Sequence, residues 1–169
     1  MRPGQPTDAA YDTISRMDIS AKTDYAVRAL IMLAEAQHQG ARLSADHLAE
    51  RQQLPRKFLE AILADLRRGG LVTSTRGAHG GYQLARPATE IALGSVFRIV
   101  DGPLAEVRGH RPQDVRYDGV AEHLPTVWIA VRASLRRVLD EVTLEQLLTG
   151  RLPRHVAALA AGPGAWTNR

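Results

Sequence analysis

The stretch from Leu66 to Pro87, LRRGGLVTSTRGAHGGYQLARP, leaves few folds open to this chain. It closes a helix, shifts the period of the sequence to two, and turns back within a glycine-rich hexapeptide. Upstream of it, Leu59, Ile62, Leu63 and Leu66 recur at three- and four-residue spacing, the repeat that buries one face of a helix. Arg67 and Arg68 bring cations to the negative end of that helix, and the pair Gly69-Gly70 supplies a residue free to take a left-handed cap. Leu71 to Thr75 and Tyr82 to Ala85 then suit two short paired strands. Between them Arg76-Gly77-Ala78-His79-Gly80-Gly81 holds three glycines in five residues, which lets backbone approach another surface with no Cβ in the way.

A second helix is expected upstream. Ser44 suits its N-cap, and Asp46, Leu48 and Ala49 follow on it. Pro55 is expected in the first turn of the helix that carries the leucine face, where its missing N–H does no harm. Arg56, Lys57 and Glu60 cluster at the amino end of that helix. Helix, turn, helix and glycine-tipped hairpin together predict a winged helix-turn-helix, in which Arg56, Lys57 and Glu60 read bases in the major groove. Ser44, Arg67 and Arg68 would hold phosphates, and Arg76 with Gly77, Gly80 and Gly81 would enter the minor groove. His79, at the wing tip, reads as a loop residue or a phosphate contact. Taken alone, these cations also fit an ordinary solvated helix face. The formal net charge of +4 favours a polyanionic partner by its sign.

The order of these elements resembles the winged-helix repressors of the Rrf2 family. The resemblance spans roughly Met17 to Gly150 and is carried most specifically by Leu66, Gly70-Leu71-Val72, Ser74, Arg76-Gly77, Gly80-Gly81-Tyr82, Leu84 and Arg86-Pro87. It implies base contacts from Lys57 and Glu60, minor-groove entry by Arg76, and a long dimerisation helix. Gln53 departs from the pattern, because relatives often carry glycine in that turn; a left-handed non-glycine residue there costs about 1 kcal/mol. Cluster-binding relatives keep three ligand cysteines near the segment 104–119, and some add an acidic residue at the place of Asp24. This chain contains no cysteine at all. Disulfides, a cysteine nucleophile and any thiolate-ligated zinc or iron-sulfur centre are thereby excluded, and Asp24 is read as stabilising the positive end of its own helix.

Elsewhere the expectations are plainer. Residues 1–16 read as a disordered tail or as the product of a start codon taken too far upstream. The winged domain is expected over 17–102, beginning with a helix that Ser20 caps and that carries Tyr25, Ala26, Ala29, Leu30 and Leu33 on one stripe. Leu93, Val96, Phe97 and Val100 are in helical register and are expected to pack the wing back onto the domain. Residues 103–122 read as a loop, and His110, Asp118 and Glu122 within it and His123 just after it are either solvated polar residues or nitrogen and oxygen ligands for another metal.

From 123 to 150 a dimerisation helix and a short cap helix are expected. Leu124, Trp128, Val131, Leu135, Val138 and Val142 follow a heptad stripe, and Thr143 with Gln146 forms a capping box. Residues 151–169 read as a tail with a brief alanine-rich helix. The fold class expected is therefore mainly α with a small β-wing, plus a long dimerisation helix.

The 169 residues leave little room for a two-domain enzyme, and HExxH, GxSxG and phosphate-loop motifs are all missing. With no apolar run of about 18 residues and no signal-peptide core, a cytoplasmic location and no membrane partner are expected. The function expected is a homodimeric repressor on a near-palindromic double-stranded DNA site, with no cofactor. The alternative is a winged-helix adaptor for a partner protein.

Overall fold

The computed structural model describes residues 19–77 and 80–167, which form seven helices and one two-stranded sheet. Helix α1 (Ala21–His38) is the central beam. Its small residues Ala26, Ala29 and Ala34 are fully buried, as is Leu30, so neighbouring helices approach it closely. Ser20 caps it as expected: the hydroxyl accepts from Thr23 N at 3.0 Å. The same hydroxyl donates to Asp101 at 2.7 Å, and Thr23 Oγ1 donates to the other oxygen of that carboxylate at 2.7 Å.

Helices α2 (Ala45–Gln52) and α3 (Arg56–Arg68) form the helix-turn-helix. Leu59, Ile62, Leu63 and Leu66 of α3 are fully buried against α1, α2 and the helix α4 (Leu93–Val100). Each such leucine contributes about 1.5–3 kcal/mol by leaving water. Pro55 stands one position earlier than expected, at the N-cap with φ −57° and ψ 127° rather than inside the first turn.

Helices α1, α2 and α3 end in the same way. After each, one residue turns left-handed, its N–H bonding back three residues and the next N–H five, the Schellman pattern. For α3 these are Gly70 N to Arg67 O at 3.1 Å and Leu71 N to Leu66 O at 2.9 Å. Gly40 and Gly70 take the left-handed position after α1 and α3, whereas α2 uses Gln53 with φ 55° and ψ 43°. Gln53 N to Glu50 O at 3.1 Å and Leu54 N to Ala49 O at 3.0 Å hold the turn, so its cost is tolerated without a change of geometry.

Strands β1 (Val72–Thr75) and β2 (Gly81–Leu84) pair antiparallel, with Val72 opposite Leu84 and Thr75 opposite Gly81. Leu43 adds a one-residue third strand, exchanging both backbone hydrogen bonds with Tyr82 at 2.8 and 3.1 Å. This bridge ties the wing to the segment that enters α2.

Helix α4 (Leu93–Val100) spans the apolar register expected of it, follows a turn of 3-10 helix at Ala88–Glu90, and packs on α1 and α3 rather than bracing the wing. The segment 103–122 contains 3-10 turns at Pro112–Asp114 and Gly119–Ala121 but no longer helix. Helix α5 (Leu124–Leu139) has no buried residue along its 16 positions. It is pinned at its far end, where Arg98 Nη2 donates to both oxygens of Asp140 at 2.6 and 2.7 Å. Glycine at position 94 leaves room for this, since a Cβ there would displace the Asp140 carboxylate from its place against Arg98.

Helix α6 (Leu144–Thr149) opens on the expected Thr143–Gln146 capping box. It packs on α1, with Leu144 fully buried and its N–H bonded to Ile91 O at 3.0 Å, so it joins the core of the winged domain rather than α5. Val142, counted in the heptad stripe, lies beyond the end of α5 and is 2% exposed, sealed into its own chain. Helix α7 (Arg154–Ala160) follows, and Trp166 beyond it donates Nε1 to Ala160 O at 2.7 Å. Among the described residues no helix is long and apolar enough to cross a membrane.

A candidate nucleic-acid interface

The outer face of the helix-turn-helix gathers most of the candidate residues. Ser44 caps α2, its Oγ accepting from His47 N at 3.1 Å; the hydroxyl is exposed and keeps its hydrogen to donate. Lys57 is exposed at the start of α3 and makes no ion pair among the described residues. Its neighbours are differently placed. Arg56 Nε donates to Glu60 Oε1 at 2.9 Å, one turn along α3, and Arg56 Nη1 lies 2.8 Å from Asp46 Oδ1 on α2. The Glu60 hydrogen bond, then the charges of Asp46 and Glu60, hold the Arg56 guanidinium above its ordinary pKa. Arg56 and Glu60 therefore stand as a preformed pair rather than as two free charges.

At the other end of α3 the cations divide. Arg67 is exposed and donates Nη1 to Ser74 Oγ on β1 at 3.3 Å, bridging reader helix and wing. Arg68 pairs with Asp65, the carboxylate that also receives Lys22 Nζ of α1 at 2.6 Å. A phosphate reaching Arg68 must compete with Asp65. The Lys22 hydrogen bond draws the Asp65 carboxyl below its ordinary pKa against the opposing effect of burial. Asp65 thus anchors the angle of α3 against α1.

On the wing, Arg76 is exposed and forms no ion pair among the described residues. Gly77 takes φ +108° and accepts from Gly80 N at 2.9 Å, closing the turn. Glycine at 80 and 81 has an internal reason. A Cβ on Gly80 would fall 2.3 Å from Thr75 O, and one on Gly81, at φ +142°, 2.8 Å from Leu43 O. His79 lies outside the described residues.

Three contributors escaped the sequence reading. Asp46 reads in the sequence only as part of α2, and its spacing from Arg56 gives no signal of the contact the fold makes between them. Arg42 donates Nε to Gln83 Oε1 at 2.9 Å, adding an exposed cation at the wing's base. Phe58 is 39% exposed between Lys57 and Glu60 and packs edge-on to Tyr25, ring centroids 5.8 Å apart at 89°. Exposed cations along a helix start, a bridging arginine and a glycine-closed wing carrying another cation form a surface that can hold phosphates while side chains reach base edges.

Comparison with known proteins finds transcriptional regulators. The model of the Rrf2 family, described as an iron-dependent transcriptional regulator, matches residues 19–150. Rv1287 of Mycobacterium tuberculosis (strain H37Rv), described as an HTH-type transcriptional regulator, is 50% identical over 144 residues, covering 85% of this chain and 89% of its own. The solved structure of CymR, the global cysteine regulator of B. subtilis, superposes with a TM-score of 0.67 at 32% identity, over 80% of this chain and 98% of that one. That of T. potens IscR gives 0.63 at 31% identity, over 90% and 93%.

Proposed function

The chain belongs to the Rrf2 family of transcriptional regulators, and on that footing we propose that it is a homodimeric, sequence-specific DNA-binding repressor working without a thiolate-ligated cluster. The observation that carries the reading is the outer face of α3, where Lys57 stands free beside the Arg56–Glu60 pair while Arg67 reaches across to the wing. Lys57 and Glu60 contact base edges; Ser44, Arg67 and Arg68 hold the backbone; Arg76 follows the wing into the minor groove.

Pairing through α5 is supported by its lack of any buried residue. Leu124, Trp128, Val131, Leu135 and Val138 are only half-buried, and Val127, beside that stripe, is 53% exposed. A 16-residue helix this apolar is stabilised by a partner. A two-fold axis through α5 sets two copies of α3 against half-sites about 34–36 Å apart and calls for a near-palindromic site.

The iron dependence in the family's description finds no fitting ligands here. There is no thiolate in the sequence, and among the described residues no group of three or more histidine and carboxylate side chains could hold a metal ion. On the absence of thiolates we propose that the signal is not read through a thiolate-ligated cluster.

The test is selection from random-sequence duplexes by chelator-treated protein, followed by binding of the enriched and a scrambled duplex at two salt concentrations. Enrichment of a near-palindrome with steep salt dependence supports the reading. Equal, weak, salt-insensitive binding to both duplexes favours the protein-binding adaptor instead.

A further inference from the structure

The contact between Asp46 and Arg56 belongs neither to the core nor to the cap of α2. Ser44, not Asp46, caps that helix. The Asp46 carboxylate crosses the helix-turn-helix to Arg56 Nη1 at 2.8 Å, while Arg56 Nε is engaged by Glu60 at 2.9 Å. All three side chains are open to solvent, 67%, 59% and 44% exposed for Asp46, Arg56 and Glu60. Nothing in the packing compels the arrangement. Its members lie on the face assigned to DNA, and the inference rests on that assignment.

A guanidinium offers its donors as a planar fork that fits a carboxylate or a phosphate alike. Two carboxylates already occupy Arg56, so DNA phosphate meets a competitor at this cation that it does not meet at Lys57 or Arg76. The competition bears unequally on different DNA. Non-specific binding comes almost wholly from phosphate neutralisation, whereas a matching site adds base-edge contacts. We propose that Asp46 is a specificity-determining positioning residue: with Glu60 it withholds Arg56 from phosphates, weakening non-specific binding more than binding to the matched site. Since non-specific sites vastly outnumber matched ones, lowering their affinity raises occupancy where it counts.

The experiment measures fluorescence anisotropy for the wild type, Asp46→Asn, Arg56→Gln and the double variant, each on the duplex that the wild type enriches and on a scrambled duplex, across a salt series. Asp46→Asn should tighten the scrambled duplex roughly two- to fivefold, the range of an exposed ion pair, and the enriched duplex by less. The salt slope on the scrambled duplex should steepen by about one. In the Arg56→Gln background the same substitution should change neither. An undiminished effect in that background would mean that Asp46 simply repels phosphate, and an unchanged ratio between the duplexes would mean that it sets no specificity; either overturns the proposal. A wild-type protein that enriches no sequence would overturn the DNA-reading assignment itself, a failure separable from the other two.

Discussion

Lys22 Nζ on α1 lies 2.6 Å from Asp65 Oδ2 on α3, so one ion pair fixes α3 against the beam of the domain. The carboxylate is 18% exposed and also holds Arg68. Replacing Asp65 with alanine should cost about 1–2 kcal/mol, the range of a charge-assisted hydrogen bond that is partly screened. The pH dependence has a definite sign. Because the folded carboxyl titrates below its ordinary 3.8, its contribution is fully present above that value and fades as pH falls through the lower, folded pKa. Chemical denaturation from pH 7 to pH 3 should show the wild type losing stability that Asp65→Ala has already lost.

Gln53 should be improvable. At φ 55° it occupies the position that glycine fills after α1 and α3, and its side chain is exposed. Gln53→Gly should stabilise the fold by up to about 0.5 kcal/mol, the left-handed cost of about 1 kcal/mol less the entropy of glycine. Thermal melting checks this, and DNA affinity should not fall.

Gly81 leaves no such latitude. An alanine Cβ would lie 2.8 Å from Leu43 O, at a φ of +142° that L-residues rarely adopt. Gly81→Ala should destabilise by about 2 kcal/mol or detach the wing from Leu43. Amide exchange at Tyr82 and Leu43, whose N–H groups form the bridge, distinguishes the two.

Much of this was legible because it is local. Ser20, Ser44 and the Thr143–Gln146 box mark helix starts through contacts three residues apart, and Gly70 marks a helix end. What was missed depends on distance or on where a helix stops. The Lys22–Asp65 pair spans 43 positions, and Leu43 joins the wing through a single residue too short to carry a period. The heptad count ran on to Val142 because spacing does not record that α5 ends at Leu139; the Thr143 cap immediately after it was the available warning. The capping box of α6 announced a helix but not that it would return to α1. At the interface, residue types located the cations, but only the fold could reveal which were already paired.

Helix α5 gives a prediction about assembly. Leu135→Asp and Val127→Asp each put a charge on or beside its half-buried stripe without touching the α1–α3–α6 core. Sedimentation should show a two-chain wild-type particle falling to one chain in either variant, with weakened binding to the enriched duplex. A single-chain wild type would defeat the pairing assigned to α5.

The most direct test of the account is Lys57→Ala, carried through duplex selection beside the wild type. Lys57 is exposed and engages no carboxylate among the described residues, so its loss should leave the melting midpoint unchanged. The variant should relax or change the preferred base at one position of each half-site, at a cost of about 1–3 kcal/mol on the wild-type sequence. Recovery of the same sequence with the same affinity would contradict the claim that α3 reads DNA.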